Sequence, residues 1–232
     1  KSCINTILNH KDKVQDIAIH LIEPKVFISG SFDKTCILSN INHINNKSDN
    51  KVFKLDGEVE SLQWHPNNNR IFYVTLDNGY IASYDVRNES KPLISFKASK
   101  SNKPISCLSF NNSKNELFIT GSIDGYIKIW YQNELNKMPQ LLHEQKSQMG
   151  AVFSCNFAPK NMIPWICVFG GYENISILDI MSLNVVRKKY NLPTFDDVFN
   201  DVDITKHSFM EKKVDFNLEY KSNDDEDSDL NA

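Results

Sequence analysis

Between Tyr126 and Tyr131 the chain alternates strictly: Ile127, Ile129 and Tyr131 fall on one side, and Tyr126, Lys128 and Trp130 on the other. That is the period of a β-strand. The preceding stretch, "TGSIDG" at 120–125, carries Asp124-Gly125. This dipeptide closes tight turns, because glycine accepts positive φ and aspartate bonds its own backbone. A phosphate cradle would need a lysine and a following helix instead. The pattern therefore predicts two antiparallel strands joined by a short turn.

It recurs. "SGSFDKTCILSNI" at 29–41, "VTLDNGYIASYDV" at 74–86 and the looser "FGGYENISILDI" at 169–180 are further copies. A second marker lies upstream of each: "VQDIAIH" from Val14, "VESLQWH" from Val59, "ISCLSFN" from Ile105 and "VFSCNFA" from Val152, with starts 45, 46 and 47 residues apart. Two markers in step define one structural unit. Each unit reads as four short strands, the fourth at places such as 92–97 and 140–145, which predicts sheets near 14–55, 59–97, 105–145 and 152–190. Ile17, Leu62, Leu108 and Cys155 correspond, as do Ile19, Trp64, Phe110 and Phe157. The asparagine-rich stretches "NHINNKSDN", "NNN" and "NNSKN" fall between strands, where asparagine suits turns.

Over roughly residues 3–190 these units resemble the WD40 β-propeller family, an all-β fold of four-stranded antiparallel blades. A closed propeller of this period usually has about seven blades. The resemblance thus implies the carboxy-terminal portion of an incomplete propeller at 1–190, with "CINTIL" at 3–8 as the outer strand of a preceding blade. In the family, a turn aspartate, a strand serine or threonine, a loop histidine and a tryptophan bond together across a blade. Here the tryptophan-aspartate positions hold Ser39-Asn40, Tyr84-Asp85, Trp130-Tyr131 and Leu178-Asp179, and the structural turn residues are Asp33, Asp77, Asn78, Asp124 and Glu173. No unit holds all four groups, so a weaker network is expected. The residues before each turn acid, Phe32, Leu76, Ile123 and Tyr172, form the expected partner face, with Phe32 and Tyr172 as anchors. The basic loops around Lys11, Lys13, Lys100 and Lys103 are the second choice.

The last unit narrows the resemblance. It combines a Met149-Gly150 lead, a proline before an apolar strand, and "FGG" at 169–171; "GEVESLQW" at 57–64 and "DNGYIASYDVRNESKPLISFKA" at 77–98 agree with it. Together they are similar to a eukaryotic branch of WD40 proteins of ribosome assembly. This implies a non-catalytic scaffold in ribosome biogenesis and rRNA processing, in the nucleus and nucleolus. Its partners would be ribosome-assembly proteins and pre-ribosomal particles of the large subunit. The alternative is a chromatin-associated propeller that reads histone tails, or a substrate-recruiting adaptor.

Composition changes this picture little. With 232 residues and 41% hydrophobic content the chain can bury a core. Its longest nearly apolar run, "MIPWICVF" at 162–169, is too short to span a bilayer. Cysteines 3, 36, 107, 155 and 167 lack CxxC spacing, which suggests buried thiols in a reducing compartment. Histidines 10, 20, 43, 65, 143 and 207 are scattered without HExxH, and Ser154 lacks elbow glycines. No catalytic, cofactor-binding or metal residue is expected, and no membrane or small-molecule partner. The net charge of −3 hides an asymmetry: residues 1–190 hold 22 basic and 17 acidic side chains, and 191–232 hold 4 and 12. The lysines of the body spread through loops and read as a solvated surface. The segment 191–232 reads as an acidic, mostly disordered tail, with a docked helix near 207–220 as the exception. In it Ser222, three residues before Asp225, is a candidate site for an acid-directed kinase.

Overall fold

Each predicted unit folds as a sheet whose strands follow one another in chain order. The first contains β1 (Val14–Ile19), β2 (Val26–Ser31), β3 (Thr35–Asn40) and β4 (Lys51–Lys54). The second contains β5 (Val59–His65), β6 (Asn68–Leu76), β7 (Tyr80–Asp85) and β8 (Ile94–Lys97). The third contains β9 (Cys107–Phe110), β10 (Leu117–Gly121), β11 (Tyr126–Tyr131) and β12 (Gln140–Lys146). The fourth has β13 (Ser154–Phe157), β14 (Ile166–Gly170) and β15 (Ile175–Asp179). All pairings are antiparallel, as short hairpin connections require. The computed structural model describes residues 6–43, 50–159 and 164–193, all within one unit spanning Lys1–Thr194. The acidic tail beyond it, Ser222 included, lies outside the described residues.

Side chains of successive strand residues point to opposite faces, and the core is layered accordingly. Phe72 and Val74 of β6 pack toward the first sheet, with Ile28, Cys36 and Phe53. Their neighbours Ile71 and Tyr73 pack toward the third sheet, with Phe110, Phe118 and Trp130. A third layer joins Ile119, Ile127 and Ile129 to Val152, Cys155 and Phe169. Each fully buried side chain of this size contributes about 1.5–3 kcal/mol. The same layers enclose Cys36, Cys107, Cys155 and Cys167 as free thiols.

The glycines before the first and third turns serve this layering. A Cβ on Gly121 would meet Val152 Cγ1 at 2.5 Å, and one on Gly30 would meet Val59 Cγ1 at 2.5 Å. The next sheet's valine occupies the space a side chain would take. Polar bonds tie the sheets as well. Asp16 Oδ2 accepts from Leu62 N (2.8 Å), Gln63 Oε1 from Phe110 N (3.1 Å) and Ser109 Oγ from Phe157 N (3.2 Å).

The fourth unit departs from the expected four strands. After β15 the Asp179 side chain accepts the Met181 N–H, the chain turns, and α1 (Asn184–Lys189) follows. Ile180 and Val186 reach the core, while Arg187, Lys188 and Lys189 sit in the last turn, where the helix end favours cations. The Lys189 ammonium lies 3.8 Å from the Tyr131 ring centroid and docks the helix on β11.

Candidate partner face

The turns between second and third strands lie at one end of the sheets, beside the loops that lead into each first strand. In the first three sheets the turn is a four-residue bond: Lys34 N donates to Ser31 O, Gly79 N to Leu76 O and Gly125 N to Ser122 O. The donors have φ of +63°, +83° and +85°, so Lys34, Gly79 and Gly125 are structural equivalents. Counting from them aligns Asp33, Asn78 and Asp124. Each accepts the N–H two residues on: Asp33 from Thr35 at 3.0 Å, Asn78 from Tyr80 at 3.2 Å, and Asp124 from Tyr126.

This register corrects the expected apolar ring. Leu76 is not the equivalent of Phe32 and Ile123; it matches Ser31 and Ser122, ends β6, and is 2% exposed in the core. Asp77 takes the ring position in the second sheet, where its side chain accepts from Glu58 N at 2.8 Å. Phe32 and Ile123 are half-buried, Phe32 under the Lys13 ammonium at 4.6 Å. Tyr172 is 79% exposed, edge-on to Phe153 at 4.8 Å. Its turn is tighter, with Gly171 N donating to Asn174 O around Tyr172 and Glu173, which is exposed. The loops beside these turns expose Lys11, Lys13 and Lys34 on the first sheet, Asp56 on the second, and Lys100 and Lys103 on the third.

Two turn acids anchor networks that sequence reasoning passed over. In the first sheet His10 bridges Asp33 (Nδ1 to Oδ2, 3.0 Å) and Ser29 (Nε2 to Oγ, 2.8 Å). The Thr35 hydroxyl donates to Asp33 Oδ1 at 2.6 Å and Lys11 N to Oδ2 at 2.8 Å. Burial alone would raise the Asp33 pKa, but these bonds outweigh it and hold the carboxyl below its usual range. In the third sheet Ser101 takes the place of His10. It and Ser122 donate to Asp124, while Trp130 Nε1 donates separately to Thr120 Oγ1 at 3.0 Å. Burial is again outweighed, and Asp124 is also held low. The signal was available: His10 precedes Asp33, and Ser101 precedes Asp124, by the same 23 residues. Beside Asp124, Lys128 is buried mid-strand, ion-paired at 2.9 Å with Glu144, its register partner on β12, and donating to Ala98 O at 2.5 Å. Glu144 also pairs with Lys100 at 2.9 Å; Lys128 first, then Lys100, lowers its pKa.

Ser29, His10 and Asp33 have the connectivity of a hydrolytic triad, yet their surroundings make a clamp. Ser29 pairs with Ile17 on one side and Ile37 on the other, so its backbone is committed to the ladder and offers no oxyanion donor.

Compared with known proteins, the chain matches the model described as "WD domain, G-beta repeat" over residues 1–38 and 90–131. These spans end within β3 and at the end of β11, the strands that follow the two wired turns. Over these two spans the chain is similar to WD40 repeats. Its antiparallel sheets have the form of the blades of that fold. Among curated proteins, the chain is 27% identical over 191 residues to a periodic tryptophan protein 1 homolog of Drosophila melanogaster, covering 81% of the chain and 40% of the relative. It is 23% identical over 181 residues to periodic tryptophan protein 1 of Saccharomyces cerevisiae, covering 74% and 31%. An uncharacterised WD repeat-containing protein of Schizosaccharomyces pombe is 28% identical over 147 residues, covering 63% and 28%. The chain thus spans less than half the length of these relatives.

Proposed function

We propose that this chain serves as a non-catalytic WD40 scaffold in ribosome biogenesis, holding ribosome-assembly proteins on large-subunit precursor particles in the nucleolus. The observation that carries the reading is the similarity to periodic tryptophan protein 1 relatives across 191 residues, a length that spans several blades. The turn end supports it. Fixed turns present lysines on the first and third blades, an acidic stretch between them, and the exposed Tyr172 on the fourth. Such a surface suits broad, mixed protein contacts rather than a reaction. The acidic stretch on the second blade gives the chromatin alternative a foothold, since a lysine-rich histone tail would seek it.

Sedimentation of the endogenous full-length protein tests the reading. It should travel with large-subunit precursors and stay with its assembly partners after RNase. The double variant Phe32→Ser, Tyr172→Ser should leave those particles with its melting temperature unchanged. Absence from precursor fractions, or co-sedimentation with nucleosomes instead, would overturn it.

A further inference from the structure

The strand ends opposite the turns carry a different surface. In the third blade Leu117, Tyr131 and Gln140 are in register, so β10, β11 and β12 stand side by side at this end over about 10 Å. Two ammonium groups are seated here on aromatic rings. Lys189 lies 3.8 Å from the Tyr131 ring centroid and donates to Gln140 Oε1 at 3.3 Å. Lys114, from the loop that enters β10, lies 5.2 Å from the Tyr190 centroid. Tyr190 is itself fixed: its hydroxyl donates to Glu116 Oε1 at 3.0 Å, and its ring meets Trp165 edge-on at 5.6 Å. Arg187 and the exposed Lys188 belong to the same helical turn as Lys189.

A ring face holds an ammonium without cancelling its charge. Among the described residues no carboxylate pairs with Lys114, Lys188 or Lys189, whereas Lys100, Lys128 and Lys137 of the same blade are all neutralised by Glu144 or Glu134. This end therefore keeps a fixed positive charge, and it fits an anion. Lys114, Glu116, Tyr131 and Gln140 all belong to the third blade, which has a sheet on either side. The form of the anion follows from what surrounds the cations. The buried Val186 packs α1 down, so nothing projects that could enter a duplex groove. The rings of Tyr131 and Tyr190 already carry ammoniums, so they offer bases no stacking platform. A flexible single strand, with one charge at every nucleotide, can lay successive phosphates on closely spaced cations.

We propose that this end of the third blade, with α1, binds single-stranded RNA through its phosphates. The patch itself calls only for a single-stranded phosphodiester chain; that this chain is RNA rests on the function proposed above.

Fluorescence anisotropy of the full 232-residue chain with a labelled twenty-nucleotide oligouridine tests the patch. Kd should be about 10 µM or tighter at about 50 mM salt, and log K should fall against log salt with a slope of about −3, roughly −0.7 for each of the four cations. The triple variant Lys114→Gln, Lys188→Gln, Lys189→Gln should weaken binding at least tenfold. The same charge removed at the turn end, by Lys11→Gln, Lys13→Gln and Lys103→Gln, should change it less than threefold. Lys188→Glu alone, whose exposed side chain has no polar or ring partner among the described residues, should weaken binding at least threefold with an unchanged melting temperature. Absence of binding, an affinity independent of salt, equal losses in the two triple variants, or equal displacement by polyglutamate would each overturn the patch. Photocrosslinking of the full-length protein in cells identifies the source: RNA adducts that the first triple variant loses are expected, and DNA adducts or none would overturn the assignment to RNA. A protein that binds oligouridine yet is absent from precursor particles would overturn the proposed function alone.

Discussion

The first and third blades share a turn geometry and differ in the chemistry that holds it. In the first, one imidazole joins the turn acid to the strand serine, and Ser39 stands where the third blade has its tryptophan. In the third, the two functions separate: serines hold Asp124, and Trp130 braces Thr120 while stacking on Phe118. The expectation of an incomplete network holds for both. Its weak point, however, differs: the first blade depends on the loop-to-turn clamp, the third on an aromatic brace. The fold needs the turn closed and tolerates two ways of closing it.

The largest expected separation between the blades is at the brace. Trp130→Ala should lower unfolding stability by about 3–5 kcal/mol, through the cavity beside Phe96 and Phe118 and the orphaned Thr120 hydroxyl. Ser39→Ala at the equivalent place should change it by about 0.5 kcal/mol or less. Urea midpoints compare the two, and equal losses would erase the distinction. Next comes the turn backbone. Gly125→Ala should cost about 2–3 kcal/mol, because φ is +85° and its Cβ would meet Gly150 O at 2.6 Å. Lys34→Gly, at φ +63°, should instead raise stability by about 1 kcal/mol. Thermal melting of the two variants should move in opposite directions.

At the clamp the order of the blades reverses. His10→Ala removes one bond from Asp33 and one from Ser29 and should cost about 2 kcal/mol, against about 1 for Ser101→Ala. The smallest effect is the pH dependence. Asp33 and Asp124 have folded pKa values below the unfolded value of about 3.9, so their contribution is complete above that pH and is lost as pH falls through the folded values. His65 is lowered chiefly by burial, so it withdraws stability as pH drops below about 6.5. A stability profile should therefore fall in two steps on acidification. His65→Phe should remove the upper step, and Asp33→Asn should shrink the lower one.

Much of this was legible in the sequence because blades are built from local hairpins. Period-two alternation from Val14, Val59, Ile105 and Val152 located every first strand, and Asp124-Gly125 located a turn that the structure closes at Gly125. What escaped depended on something other than residue type. The second turn was aligned by its acid, whereas the left-handed position fixes the register; Gly79 alone marks that place, and Leu76 moved from surface to core with the correction. The role of His10 needed a spacing across two strands, which no local window contains. The helix at 184–189 replaced a strand because Ile180 and Val186 found the core, a tertiary preference that strand patterning cannot register.

The side-chain-to-backbone bonds between blades also set how the molecule comes apart. Asp16, Gln63 and Ser109 each link one blade only to the next, so cooperativity passes along a line of nearest neighbours. Among the described residues the second and third blades are held by such bonds from both sides. Native-state hydrogen exchange should report that bracing. The amides of Leu62 and Phe110, each held by the preceding blade, should open only with global unfolding, and Asp16→Ala or Gln63→Ala should let the matching amide open locally.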